Sequence, residues 1–232
     1  MKLTQNTLLF CLLTLFAACS SNSYRTENVQ QPNEEIEYKI KSIYANSKLS
    51  KHLSFELFRL AMIGFYNIEN LKKRDKLVII DFSKPSTAER FYLIDLETEK
   101  LLYKCLVAHG KNSGGNLPTV FSNVPQSKKS SLGFYLTAET YSGKHGYSLR
   151  LDGIEKDFNH NARERAIVVH SANYVSQKYI QKNKRLGRSW GCPALPKELS
   201  EEIINEISDG RCIFIYAKDE DYLNNSKYIL RE

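Results

Sequence analysis

The chain has 232 residues, with 42% hydrophobic and 11% aromatic residues and a formal net charge of +7. That length suits one globular domain with appendages, and the composition excludes collagen-like, low-complexity and wholly disordered chains. The positive balance favours acidic surfaces or anionic substrates; it would also suit nucleic acid, but no nucleic-acid-binding motif occurs, so no such partner is expected.

Residues 1–19 read as a targeting segment. Lys2 supplies a basic start, and the apolar run Leu8–Ala18 is too short to span a bilayer. Phe16-Ala-Ala-Cys19 resembles a bacterial lipobox with Phe in place of the usual Leu, so Cys19 is the expected lipid attachment point; the alternative is an ordinary secretory signal with an incidental cysteine. Two acyl chains on Cys19 would hold the mature protein at a membrane. Residues 20–33 are polar and aperiodic, as a flexible tether is. Residues 34–76 form an N-terminal helical segment. Ile36, Ile40, Ile43 and Tyr44 follow helical spacing, and a second helix starts near Ser54, an N-cap, with Phe58, Met62, Phe65 and Tyr66 as its apolar positions. The expected arrangement is a helical hairpin packed on the main domain.

From residue 77 to 232 the pattern changes to strands: Leu77–Phe82, Arg90–Leu96, Leu101–His109, Gly133–Thr140, Tyr147–Leu151, Ala166–His170 and Arg211–Ala217. Residues 110–131 form a long Gly/Ser/Asn-rich surface loop, the kind that often carries function. Lys197–Ser208 predicts a short helix with Leu199, Ile203, Ile204 and Ile207 on one face. Many short strands with turn signals indicate an antiparallel, mainly β domain.

Five cysteines occur with no CxxC pair, which argues against a disulfide framework. Cys105 and Cys212 lie in strand patterns, whereas Cys192 sits in the small-residue turn Ser189-Trp-Gly-Cys192-Pro193. His170 ends the apolar run Ile167-Val-Val-His170. A free thiol is only a few per cent ionised at neutral pH, so a nucleophilic cysteine needs an imidazole or cations nearby. Here His170 is the candidate base, and Arg185 and Arg188 are the candidate cations. Gly191 permits a sharp turn and close substrate approach, and the N–H groups of Gly191 and Cys192 are candidates for an oxyanion hole. Ser189 either bonds substrate or caps its turn. Arg188 either grips a substrate carboxylate bidentately or is solvated. Arg163 either faces substrate or belongs with Glu164 and Arg165 to a charged strand edge. The cluster Lys178, Lys182, Lys184 and Arg185 is a solvated face or the wall of an anionic groove. His109 and His145, each before a glycine, line a cleft or pack in turns. No metal-ligand spacing occurs, so no metal is expected.

At these residues the chain resembles the murein L,D-transpeptidase catalytic domain family, of the YkuD-like L,D-transpeptidases of bacterial cell walls. The family's His followed by Ser-x-Gly-Cys reads here as His170 and Ser189-Trp-Gly-Cys192. Val107-Ala-His-Gly110, Phe121-Ser-Asn123, Ser130-Ser-Leu-Gly133, Gly143-Lys-His-Gly146 and Asn161-Ala-Arg163 resemble it further. Two departures stand out: Ser171 follows the His where many members have Gly, and Pro193-Ala194 follow the Cys where many have an aliphatic residue and Arg. The resemblance implies the family's β-sandwich over residues 77–232, Cys192 as nucleophile and His170 as base. It also implies a carbonyl at Ser171 holding the imidazole tautomer, with His145, Arg163, Arg188 and Ser189 toward substrate. The implied activity is L,D-transpeptidation of peptidoglycan stem peptides in the cell envelope without a cofactor; the leader and Cys19 add the expectation of an exported, lipid-anchored protein facing the periplasm. An L,D-carboxypeptidase, another cysteine peptidase and a non-catalytic peptidoglycan-binding lipoprotein are the alternatives.

Overall fold

The computed structural model describes residues 33–229; the leader, Cys19 and nearly all of the tether lie outside the described residues. Helix α1 (Glu34–Asn46) starts where the Asn33 side chain accepts from the Ile36 N–H, with Glu34, Glu35 and Glu37 at the positive end of its dipole. A 3-10 turn, Leu49–Lys51, separates it from α2 (Phe55–Asn67). The Ser54 hydroxyl caps α2 by accepting from the Leu57 N–H, as expected. Helix α2 buries Phe58, Ala61, Met62 and Phe65 against the sheet. Gly64 makes that approach possible, since a Cβ there would stand 1.9 Å from the Phe134 ring. The helices and the strands therefore share one core, and the change of pattern near residue 76 separates element types rather than cores.

Eight strands follow: β1 (Lys76–Asp81), β2 (Phe91–Asp95), β3 (Lys100–Cys105), β4 (Gly133–Gly143), β5 (Gly146–Gly153), β6 (Val168–Ser171), β7 (Ala194–Leu195) and β8 (Cys212–Tyr216). They form one hydrogen-bonded sheet in the order β3-β2-β1-β8-β4-β5-β6-β7. The class is as expected, with helices before the strands and α4 (Lys197–Ile207) after the Cys192 turn. The purely antiparallel expectation is not met: β8 runs parallel to β1, and β7 runs parallel to β6. Parallel neighbours need a crossover. The β6-to-β7 crossover contains α3 (Gln177–Asn183), and α4 leads from β7 to β8. A last helix, α5 (Glu220–Asn225), follows β8.

The expected strand to His109 stops at Cys105. Beyond it the chain leaves β2 and bridges the Cys192 region instead, pairing Ala108 with Ala194 and Gly110 with Ser189. This change of partner binds the long loop to the edge of the sheet where β6 and β7 lie.

Candidate active site

His170 pairs with Ala194 across β6 and β7, which places it two residues beyond Cys192 in register. His170 is 3% exposed, and its Nδ1 lies 2.8 Å from the Ser171 carbonyl oxygen. A carbonyl only accepts, so Nδ1 carries the proton and Nε2 is left as the basic nitrogen. Burial, with His145 adding to it, pushes the His170 imidazole below its ordinary range, although the Ser171 bond pulls the other way. His145, at the β4–β5 hairpin turn, stacks on His170 with ring centroids 4.5 Å apart. The Ser171 hydroxyl reaches the His145 carbonyl, which ties that turn to β6.

Cys192 follows a turn with little freedom. The Ser189 hydroxyl donates to the Cys192 carbonyl at 2.6 Å and accepts from the Gly191 N–H at 3.1 Å. Gly191 has φ +129°, and a Cβ there would meet the Lys129 carbonyl at 2.7 Å. The Ser130 hydroxyl donates to the Gly191 carbonyl and accepts from the Gly110 N–H. The Ser189 N–H donates to the His109 carbonyl, and the Lys111 N–H to the Ser189 carbonyl. Loop 110–131 thus grips the turn by both backbone and side chains.

Among the described residues three cysteines are free. Cys105 and Cys212 are buried and inert; burial pushes Cys105 up to about 12. Cys192 is half-buried. Its thiol donates weakly to the Ala166 carbonyl at 3.6 Å and makes no hydrogen bond to His170 in this state. Burial raises the thiol; the Val168 N–H, Arg165 and its own N–H oppose that without cancelling it. With the thiol raised and the imidazole lowered, the pair rests neutral.

The model of the L,D-transpeptidase catalytic domain matches residues 49–216. The chain belongs to this family. Among solved structures it is similar to an L,D-transpeptidase from Mycobacterium smegmatis, at 13% identity and TM-score 0.39 over 62% of this chain and 59% of that one. It is also similar to one from Xylanimonas cellulosilytica, at 15% identity and TM-score 0.35 over 62% of each chain. L,D-transpeptidase 1 from Mycobacterium tuberculosis matches at 13% identity and TM-score 0.34, again over 62% of each chain. The chain thus spans about three fifths of these structures' length. No curated protein matches it.

In this L,D-transpeptidase domain several sequence expectations change. The Gly191 N–H is taken by Ser189, which leaves the Cys192 N–H, acting on its own sulfur, as the remaining donor of the expected pair. The Ser189 hydroxyl braces the turn instead of facing substrate. Arg188 donates to the carbonyls of Lys111 and Gly114, holding the loop, and Arg185 donates to the Leu186 carbonyl. Neither is the cation that acts on the thiol; Arg165 is. Arg163 is engaged with Asp152 and Glu139, which leaves it no free fork for a substrate carboxylate.

His109 is 0% exposed and packs; it does not line a cleft. Its Nδ1 accepts from Arg90 at 2.8 Å, and its Nε2 is sealed without a partner among the described residues. Burial and the Arg90 charge hold it near 3, hence neutral. Tyr174 was not singled out by sequence. It packs against Gly187, and burial followed by the Cys192 thiol pushes its hydroxyl to about 12. Only its position in the β6–β7 crossover could have signalled this. Trp190, inside the motif, is 69% exposed with the Lys128 ammonium over its ring.

Proposed function

We propose that the protein is a cysteine acyltransferase of the cell envelope that acts on peptidoglycan stem peptides through a Cys192 thioester. The observation that carries this reading is the half-buried Cys192 in a braced turn, two residues before the Ala194 that pairs with His170, whose tautomer leaves Nε2 basic. In the first step Nε2 of His170 takes the Cys192 proton as sulfur attacks the carbonyl between the third and fourth stem residues. The Cys192 N–H faces the oxyanion that develops. Collapse breaks the C–N bond, and the imidazolium returns its proton to the departing D-alanine amine. In the second step an amine acceptor attacks the thioester, His170 takes its proton, and the thiolate leaves and is reprotonated. Water in place of the amine would make the protein an L,D-carboxypeptidase.

Charge supports an anionic substrate. Loop 110–131 carries Lys111, Lys128 and Lys129, and residues 171–196 carry Lys178, Lys182, Lys184, Arg185 and Arg188, with no Asp or Glu in either stretch. Stem peptides bear free carboxylates. Export and lipid attachment at Cys19 are part of the same proposal and rest on the lipobox-like residues 16–19.

The deciding experiment is mass spectrometry of muropeptides after incubating the full chain with a tetrapeptide muropeptide, beside Cys192→Ala. Cysteine-dependent release of D-alanine with a dimer product is expected. Release without dimer would favour the carboxypeptidase. No change under reducing conditions would overturn the substrate assignment and point to a non-catalytic wall-binding role. A Cys19→Ala chain should lose its lipid and leave the membrane fraction.

A further inference from the structure

A neutral resting thiol raises the question of what favours its anion once the proton leaves. The Arg165 guanidinium lies in the turn just before β6 and is half-buried. Its Nη1 donates to the Ser122 carbonyl and the Ser131 hydroxyl, and its Nη2 to the Ser127 hydroxyl and the Lys129 carbonyl. All four acceptors are neutral. No carboxylate pairs with it among the described residues, although Glu164 is its chain neighbour. Nη2 also stands 3.2 Å from where a Cβ on Gly191 would be, beside the residue that precedes the nucleophile.

A partly desolvated cation without an anion is unfavourable unless a counter-charge arises nearby. Two ionisable groups act on Arg165: Tyr135, reached through the Ser131 hydroxyl, and Cys192, next to the Gly191 that Nη2 approaches. The Tyr135 hydroxyl is buried and bonded to Ser131, and burial keeps it protonated at any working pH. That leaves the sulfur. The other groups that act on it are the Val168 N–H, its own N–H and Tyr174 in the crossover, and His170 on the neighbouring strand β6 is lowered by burial; none is a standing cation.

We propose that Arg165 is the charge-positioning residue of the site, a fixed counter-cation placed for the Cys192 thiolate. Its four neutral bonds hold it against Gly191, and the serine- and lysine-bearing loop that supplies them contains no acid to quench it. The inference deepens the proposed function and needs from it only that Cys192 is the nucleophile.

The test is the pH dependence of Cys192 alkylation by iodoacetamide in the full chain. The tryptic peptide Ser189–Lys197 is read by mass spectrometry, so other cysteines do not contribute. Arg165→Gln should raise the apparent thiol pKa by about 1 and lower alkylation at pH 7 about tenfold, while Arg165→Lys keeps it close to wild type. A purely structural clamp predicts the reverse pattern for lysine, because an ammonium cannot reproduce the four-acceptor fork. A wild-type thiol pKa in Arg165→Gln, or an equal rise in Arg165→Lys, overturns the proposal. If Arg165→Gln does not fold by circular dichroism, the lysine variant decides alone: an unchanged thiol supports the proposal and a raised one ends it. The readout needs no muropeptide, so a failed substrate assignment leaves it intact.

Discussion

Arg163 and Arg165 are separated by a single residue and have opposite surroundings. Arg163 lies at the surface in a network with Asp152 and Glu139, and Arg150 joins through Glu139. Arg165 turns inward to neutral oxygens beside the nucleophile. The first arrangement quenches its charges with their own partners in water, where such pairs contribute little. The second keeps one charge without a carboxylate partner among the described residues, against Gly191. Carboxylates are withheld from this cation, and from both segments framing Cys192.

The sharpest test of the inward side is its base. His170→Gln should lower turnover of the Cys192-dependent reaction by about 10²–10⁴-fold, measured as D-alanine release. In the wild type the acid limb of the pH–rate profile should fall below the ordinary histidine value of about 6.5, because burial lowers His170. The alkaline limb should lie above the usual thiol range, because Cys192 is raised. An acid limb well above 6.5 would contradict a neutral resting pair.

His109, which holds Ser189 through its carbonyl, gives the next effect. It stays neutral down to about 3 in the folded chain but titrates near 6.5 when unfolded. Between those values the unfolded chain binds the extra proton, so stability is full above about pH 6.5 and is lost as pH falls toward 3. Over that whole range the loss is on the order of 5 kcal/mol. His109→Gln should flatten that limb in urea melts taken from pH 8 to pH 4.

Gly191→Ala forces a side chain onto φ +129° and against the Lys129 carbonyl. A loss of about 1–3 kcal/mol in stability is expected by thermal melting, together with at least tenfold lower activity. The smallest effect belongs to the outer network. Arg163→Gln should change stability by less than about 1 kcal/mol and activity by less than about twofold. Collapse of activity in that variant would break the contrast between the two arginines.

Much of this was legible in the chain. Ser54 before an apolar period marked the start of α2, and the spacing of Leu199, Ile203, Ile204 and Ile207 marked α4. Cys192 and His170 were singled out by residue type and a turn that no strand could continue, and the pairing of β6 with β7 brings their segments together. What was hidden depended on partners distant in sequence. Helix α3 buries no residue and so has no apolar period. Strand β7 is two residues long and exists only because β6 and Ala108 bond to it. The parallel neighbours of β1 and β6 follow from crossovers that local patterns do not encode. Arg165 read as one more charge in an Arg-Glu-Arg run. Its role appears only when Ser122, Ser127, Lys129 and Ser131 surround it. Ser189 could equally have faced outward, and only the three-dimensional turn shows its hydroxyl occupied.

Trp190 has a further consequence. It is the one tryptophan in the sequence, two positions from Cys192, largely in solvent and beneath an ammonium group. The molecule therefore carries a native optical probe at its reactive turn. Any occupant of that turn, whether a covalent inhibitor, a donor peptide or a wall fragment, would alter the emission of a single known indole, and occupancy could be followed in real time without a label.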